Sequence, residues 1–150
     1  MYKRIMVAID GSKTANHALK EAIKLAKDQR ARLRLIHVVD EMPAYMEMGE
    51  MPYSIEDYRK SMGEGGRKVL VTAAAKAKVD RVKFDTKLMV IDGSSTRIWE
   101  VMNKEAKIWR ADLFVIGTHG RRGIDRFILG SVAEGVIRLA ETPVLVIHGR

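Results

Sequence analysis

Five short apolar runs punctuate this chain, and the stretches between them return their apolar residues at helical spacing. The runs fall at Arg4 to Asp10, Leu33 to Val39, Lys83 to Val90, Asp112 to Gly117 and Val144 to His148. All five are too short for helices and read as strands, the first and fourth continuous enough to be buried. Between the first two, Ala15, Leu19, Ala22, Ile23 and Ala26 mark the apolar stripe of a helix from Ser12 to Gln29. Further helices are predicted over Ile55 to Val79, over Ser94 to Ile108 with Ile98, Val101, Met102 and Ala106 facing inward, and over Ser131 to Ala140. Strands alternating with helices imply βαβ units, right-handed crossovers and a mostly parallel sheet. The expected architecture is an α/β single domain spanning 1–150, an open five-stranded sheet with helices on both faces. A length of 150 residues and an apolar share of 47% suit one core of that size.

Two segments depart from this rhythm. Asp40 to Ser54 holds Pro43, Gly49, Pro52 and the methionines Met42, Met46, Met48 and Met51, with little periodicity, and reads as a long loop or flap. Gly63, Gly65 and Gly66 stand inside the Ile55 to Val79 helix, where each costs roughly 0.8 to 1 kcal/mol relative to Ala, so a kink or break is expected there.

The chemistry is concentrated around the fourth strand. Leu113-Phe114-Val115-Ile116 is followed by Gly117-Thr118-His119-Gly120, nine residues, Gly130-Ser131, and a helical stretch from Val132. Glycines let a backbone approach an anion closely, and the free N–H groups at a helix start favour negative charge, so this layout suits a phosphate cradle. The same glycines could simply make a tight turn, with Ser131 an ordinary N-cap. At the end of the first strand, Asp10 could accept hydrogen bonds from ribose hydroxyls, or could cap the first helix in competition with Ser12. Arg121, Arg122 and Arg126 bring positive charge that would complement a triphosphate or would sit in a solvated loop. His119 has no acidic orienter or nucleophile recognisable beside it and reads as a loop histidine, so no catalytic residue is assigned.

The spacing Gly-x2-Gly-x9-Gly-Ser, met by Gly117, Gly120, Gly130 and Ser131, resembles the nucleotide-binding signature of the universal stress protein family. The start Ile5-Met6-Val7-Ala8-Ile9-Asp10-Gly11-Ser12, the strand ending Leu35-Ile36-His37-Val38, the segment Ala111 to Gly117 and the close Pro143 to Ile147 also fall where that family has them. The resemblance spans essentially the whole chain. It implies a Rossmann-like sheet of strand order 3-2-1-4-5, in which the first and fourth strands meet at a topological switch point whose crevice binds ligands. It further implies ATP as ligand, with magnesium or manganese as the accompanying cation. Carried over position by position, it gives Asp10 and the backbone of Val38 to the ribose and adenine, Gly117 and Gly120 to the phosphate loop, where the charge of Arg121 would join them, and the backbone N–H groups of Gly130, Ser131 and Val132 to the phosphates. Dimers formed through the last strand are implied too, and Val144 to Ile147 is a short apolar terminal strand that suits an unpaired edge.

Other classes fit less well. The net charge of +8 is spread along the chain, with Lys20, Lys24 and Lys27 at the spacing of a solvated helix face, and no aromatic-rich basic strand favours nucleic acid. Neither a P-loop nor a Gly-x-Gly-x-x-Gly follows the first strand. The absence of cysteine removes disulfides and thiol chemistry, and His17, His37, His119 and His148 show no paired metal spacing. No run approaches the ~18 to 20 apolar residues of a membrane span, and a cytoplasmic location is expected. The function expected from these readings is an ATP-binding, nucleotide-dependent regulatory or stress-response module with at most slow hydrolysis. The alternatives are an enzyme turning over ATP or another phosphate compound, and a basic nucleic-acid-binding or scaffold protein.

Overall fold

The computed structural model describes residues 1–41, 54–91, 95–118 and 129–149. Its elements run β1 (Arg4–Ala8), α1 (Lys13–Gln29), β2 (Arg32–Asp40), α2 (Ile55–Val79), β3 (Phe84–Ile91), α3 (Ile98–Trp109), β4 (Leu113–Gly117), α4 (Ser131–Leu139) and β5 (Val144–Ile147). The strands form one sheet of order β3-β2-β1-β4-β5, parallel at every pairing. This is the α/β architecture and strand order expected from the sequence. In the central pairings Ile5 stands beside Leu33 on one side and Leu113 on the other.

Both faces of the sheet are covered, which is why the central strands read as unbroken apolar runs. Ile5, Val7, Leu33, Leu35 and Val115 lie beneath α1 and α2, packed on Leu19, Ala22, Leu70 and Ala73. On the other face Met6, Ile36, Phe114 and Ile116 lie beneath α3 and α4, packed on Met102, Ala106, Ala133 and Val136. Each fully buried side chain of this size contributes roughly 1.5 to 3 kcal/mol relative to exposure.

Where α3 crosses β2 and β3, charge replaces part of this apolar packing. Glu105, 3% exposed, accepts from Arg34 Nη1 at 2.8 Å and from Lys87 Nζ at 2.7 Å. Arg34 also donates to Asp85, and its guanidinium lies 4.8 Å from the Trp109 ring centroid. Burial alone would lower the Arg34 pKa, but hydrogen bonding and the charges of Asp85 and Glu105 outweigh it and raise it above the ordinary value.

The helix from Ile55 to Val79 is continuous, contrary to the break expected at its glycines. Packing explains Gly66. It is buried, and a Cβ there would stand 2.7 Å from Leu88 Cδ1 and 2.8 Å from Val39 Cγ2, so its missing side chain lets α2 lie close on the sheet. The third helix begins at Ile98, four residues after the expected start, with Arg97 as its N-cap and Glu100 Oε2 accepting from the Arg97 backbone at 3.0 Å. The Met-rich segment falls almost wholly outside the described residues.

Candidate functional site

The chain adds β2 and β3 on one side of β1, then β4 and β5 on the other, so the order reverses between β1 and β4. In open parallel sheets a ligand crevice forms at such a point, outside the carboxyl ends of the strands.

One lip of this crevice is the turn Asp10-Gly11-Ser12. Asp10 Oδ1 accepts from the Ser12 backbone at 2.9 Å, and Gly11 takes φ +83°, in the left-handed region where a side chain is strained. Ser12 then caps α1, its hydroxyl accepting from Ala15 N at 3.1 Å. The competition for the cap is therefore won by Ser12, and the Asp10 carboxylate, half-buried, organises the turn before it. Asn16 Nδ2 donates to the Ser12 carbonyl at 3.0 Å, and Lys76 Nζ of α2 donates to Asn16 Oδ1 at 2.6 Å.

The opposite lip comes from β4 and α4. Thr118, 1% exposed, donates its backbone N–H to Ile147 O at 2.9 Å and accepts at its carbonyl from Gly130 N at 2.7 Å. Gly130 is the N-cap of α4, with φ −68° and ψ 153°, and supplies no side-chain cap; its carbonyl accepts from Glu134 N at 2.9 Å. The N–H groups in the first turn of a helix have no acceptor within the helix, and the helix dipole makes that end positive. Ser131 is exposed at this start and Val132 half-buried.

Of the sequence candidates, Asp10, Gly117, Gly130, Ser131 and Val132 thus share the carboxyl edge of the sheet at the β1–β4 junction. Val38 lies on β2 opposite Met89, its side chain 9% exposed in the core beneath α3 and α4. Gly117 has a second reason to be glycine: a Cβ there would meet Thr14 Cγ2 at 2.8 Å and the Thr14 carbonyl carbon at 3.0 Å, where α1 begins. Gly120 and Arg121, with His119, Arg122 and Arg126, lie outside the described residues.

Sequence reasoning missed Thr118, which ties β4 to both β5 and α4, and His37, whose Nδ1 lies 2.6 Å from the Ile9 carbonyl oxygen. Each is a polar residue within or beside a buried apolar strand, a signal that only gains meaning beside the Asp10 turn or the Gly130 cap. A separate cavity of about 460 Å³ opens by the ends of β2 and β3 and is lined by Glu41, Arg59, Val90, Ile91 and Thr96. It has the Arg59–Glu41 ion pair, 3.0 Å, at its wall. Among the described residues no cluster of three acidic, histidine or cysteine side chains could hold a metal, and no helix is long and apolar enough to cross a membrane.

The sequence model of the universal stress protein family matches residues 1–148. The universal stress protein MJ0531 of Methanocaldococcus jannaschii is 35% identical over 148 residues, covering 98% of this chain and 82% of that protein. A crystal structure of a universal stress protein family member from Burkholderia pseudomallei is also 35% identical, with a TM-score of 0.76, and covers 97% of this chain and 96% of that one. More distant neighbours share the fold. An Arabidopsis thaliana family protein solved with AMP bound is 21% identical with a TM-score of 0.70, covering 99% and 92% of the two chains. The Archaeoglobus fulgidus universal stress protein in complex with dAMP is 24% identical with a TM-score of 0.66, covering 97% and 98%.

Proposed function

This chain belongs to the universal stress protein family, and from that premise we propose that it is an ATP-binding regulatory module whose nucleotide occupies the crevice between β1 and β4. One observation carries the reading: an acidic turn at the end of β1 and a helix start without a side-chain cap, tied to the end of β4 by the Thr118–Gly130 hydrogen bond, stand at the carboxyl ends of two adjacent strands. The turn offers Asp10 to ribose hydroxyls, and the helix start offers the N–H groups of Ser131 and Val132, with the Ser131 hydroxyl, to phosphates; the Gly130 N–H, expected from the sequence to join them, is instead taken by the Thr118 carbonyl, so Gly130 contributes its lack of a side chain. The Val38 backbone meets the adenine edge, while Gly117, Gly120 and Arg121 complete the phosphate side. AMP and dAMP on neighbours of the same fold support an adenine nucleotide as the class. The Gly117, Gly120, Gly130 and Ser131 spacing favours ATP, with magnesium or manganese beside it.

No side chain is assigned to catalysis. Hydrolysis is slow at most, and the bound nucleotide governs what the chain, working as one cytoplasmic domain, associates with. The edge position of β5 and its half-buried Val144 to Ile147 side chains favour a homodimer built on that strand, which sedimentation at micromolar concentration tests. The nucleotide reading is tested by denaturing freshly purified protein, identifying any released ligand by mass spectrometry, and titrating ATP, ADP and AMP by calorimetry with and without magnesium. Co-purified or tightly rebound ATP supports it; no nucleotide and no heat overturn it.

A further inference from the structure

We propose that His37 is a positioning residue for the ribose-binding turn, acting from beneath it through the Ile9–Asp10 peptide; this rests on the nucleotide reading above. His37 is 7% exposed on β2, and its Nδ1 lies 2.6 Å from the Ile9 carbonyl oxygen. A carbonyl can only accept, so Nδ1 carries the proton and donates it. Ile9 N donates in turn to Ile36 O at 2.8 Å. Both backbone groups of Ile9 are therefore held by consecutive residues of β2, one by main chain and one by the imidazole.

The consequence falls on the next residue. The Ile9 carbonyl and the Asp10 N–H belong to one planar peptide, so fixing the oxygen fixes the plane from which the Asp10 Cα and its carboxylate project. On the far side of that Cα the carboxylate is set by its bond from Ser12 N, 2.9 Å. Asp10 is thereby aimed from both directions, by His37 below and by its own turn above.

An independent feature shows that the ring's place is kept for it. A Cβ on Gly66 of α2 would come within 3.1 Å of His37 Cδ2, besides meeting Leu88 and Val39, so the helix over the imidazole carries glycine at the point of contact. The ring is packed as well as hydrogen-bonded, which is the condition for holding a ligand group to within a fraction of an ångström.

A role confined to stability would weaken every ligand alike, or none. Positioning Asp10 instead affects only ligands with ribose hydroxyls. The test is calorimetry of ATP and of 2′,3′-dideoxy-ATP on the wild type and on His37→Leu, His37→Asn and His37→Gln. The Asn side-chain nitrogen can stand where Nδ1 stands, whereas the longer Gln amide reaches towards the Nε2 position.

The wild type is expected to prefer ATP over the dideoxy compound roughly 10-fold or more. In the Leu and Gln variants that ratio falls to within about 2-fold of unity, with dideoxy-ATP affinity retained, and the Asn variant restores it. Should the Leu variant fail to fold, the Asn and Gln pair decides. A wild-type preference that persists unchanged in Gln, or a parallel loss of both ligands, overturns the role of His37 alone. A wild type that binds ATP without regard to the hydroxyls removes the ribose role of Asp10 and that of His37 with it, and a wild type that binds neither compound overturns the nucleotide reading itself.

Discussion

The carbonyl oxygen of Thr118 and the backbone nitrogen of Gly130 are 2.7 Å apart, so a hydrogen bond joins the end of β4 to the start of α4. The helix start is thereby registered to the sheet edge, independently of the chain that runs between them.

That registration makes Gly130 a clean place to test the phosphate end. Its φ −68° and ψ 153° lie in a region any residue adopts, so Gly130→Val is not strained by its backbone. The variant is expected to show native circular dichroism and no calorimetric ATP binding, because an isopropyl group fills space meant for an anion. Unchanged affinity in the folded variant removes the α4 start from the site.

Asp10→Asn separates the turn from the ligand contact. The amide oxygen can still accept from Ser12 N, so the turn and thermal stability should be kept, while the loss of charge weakens ATP roughly 10-fold and dideoxy-ATP little. Calorimetry on the two compounds checks this.

Gly65 and Gly66 should respond to alanine with opposite signs. At Gly65 an added Cβ meets nothing within 4 Å, so Gly65→Ala should stabilise by about 0.5 to 1 kcal/mol. At Gly66 it would press on Leu88, Val39 and His37, and Gly66→Ala should cost about 1 to 3 kcal/mol despite the better helix former. Urea denaturation of both variants decides, and a stabilising Gly66→Ala would contradict the packing account.

Glu105→Gln removes the charge that faces Arg34 and Lys87. Arg34 keeps Asp85 and the Lys87 side chain is 43% exposed, so the loss is expected to be about 2 to 3 kcal/mol rather than the larger cost of an isolated buried charge. Chemical denaturation measures it, and a variant as stable as the wild type shows that the network is held together by packing alone.

The strands and helices were legible because a sheet covered on both faces writes itself as apolar runs between striped segments. Their order was not contained in the periodicity; it came with the family resemblance. The glycines of α2 misled because a helical Gly reads only as a local cost, whereas the reason for Gly66 lies on β2 and β3, in Val39, His37 and Leu88. Gly117 is similar, since Thr14 becomes its neighbour only once α1 packs at the end of β4. At the crevice, strand ends and turn chemistry single out Asp10 and Gly130-Ser131 as candidates, while the weight given to their ligand roles, and Val132 altogether, comes with the family resemblance. His37 could not be singled out, because its importance depends on which carbonyl its ring reaches.

The two cores that sandwich the sheet share strands but not helices: α1 and α2 close one, α3 and α4 the other. Asp10 leads into a helix of the first layer and Gly130 opens a helix of the second. A nucleotide gripped by both, as proposed, would act as a rivet through the sheet edge, fastening two layers that, among the described residues, have the strands in common. Its departure would loosen the seam between layers rather than either layer, giving a small molecule leverage over how α1 and α4 are presented to whatever docks on them.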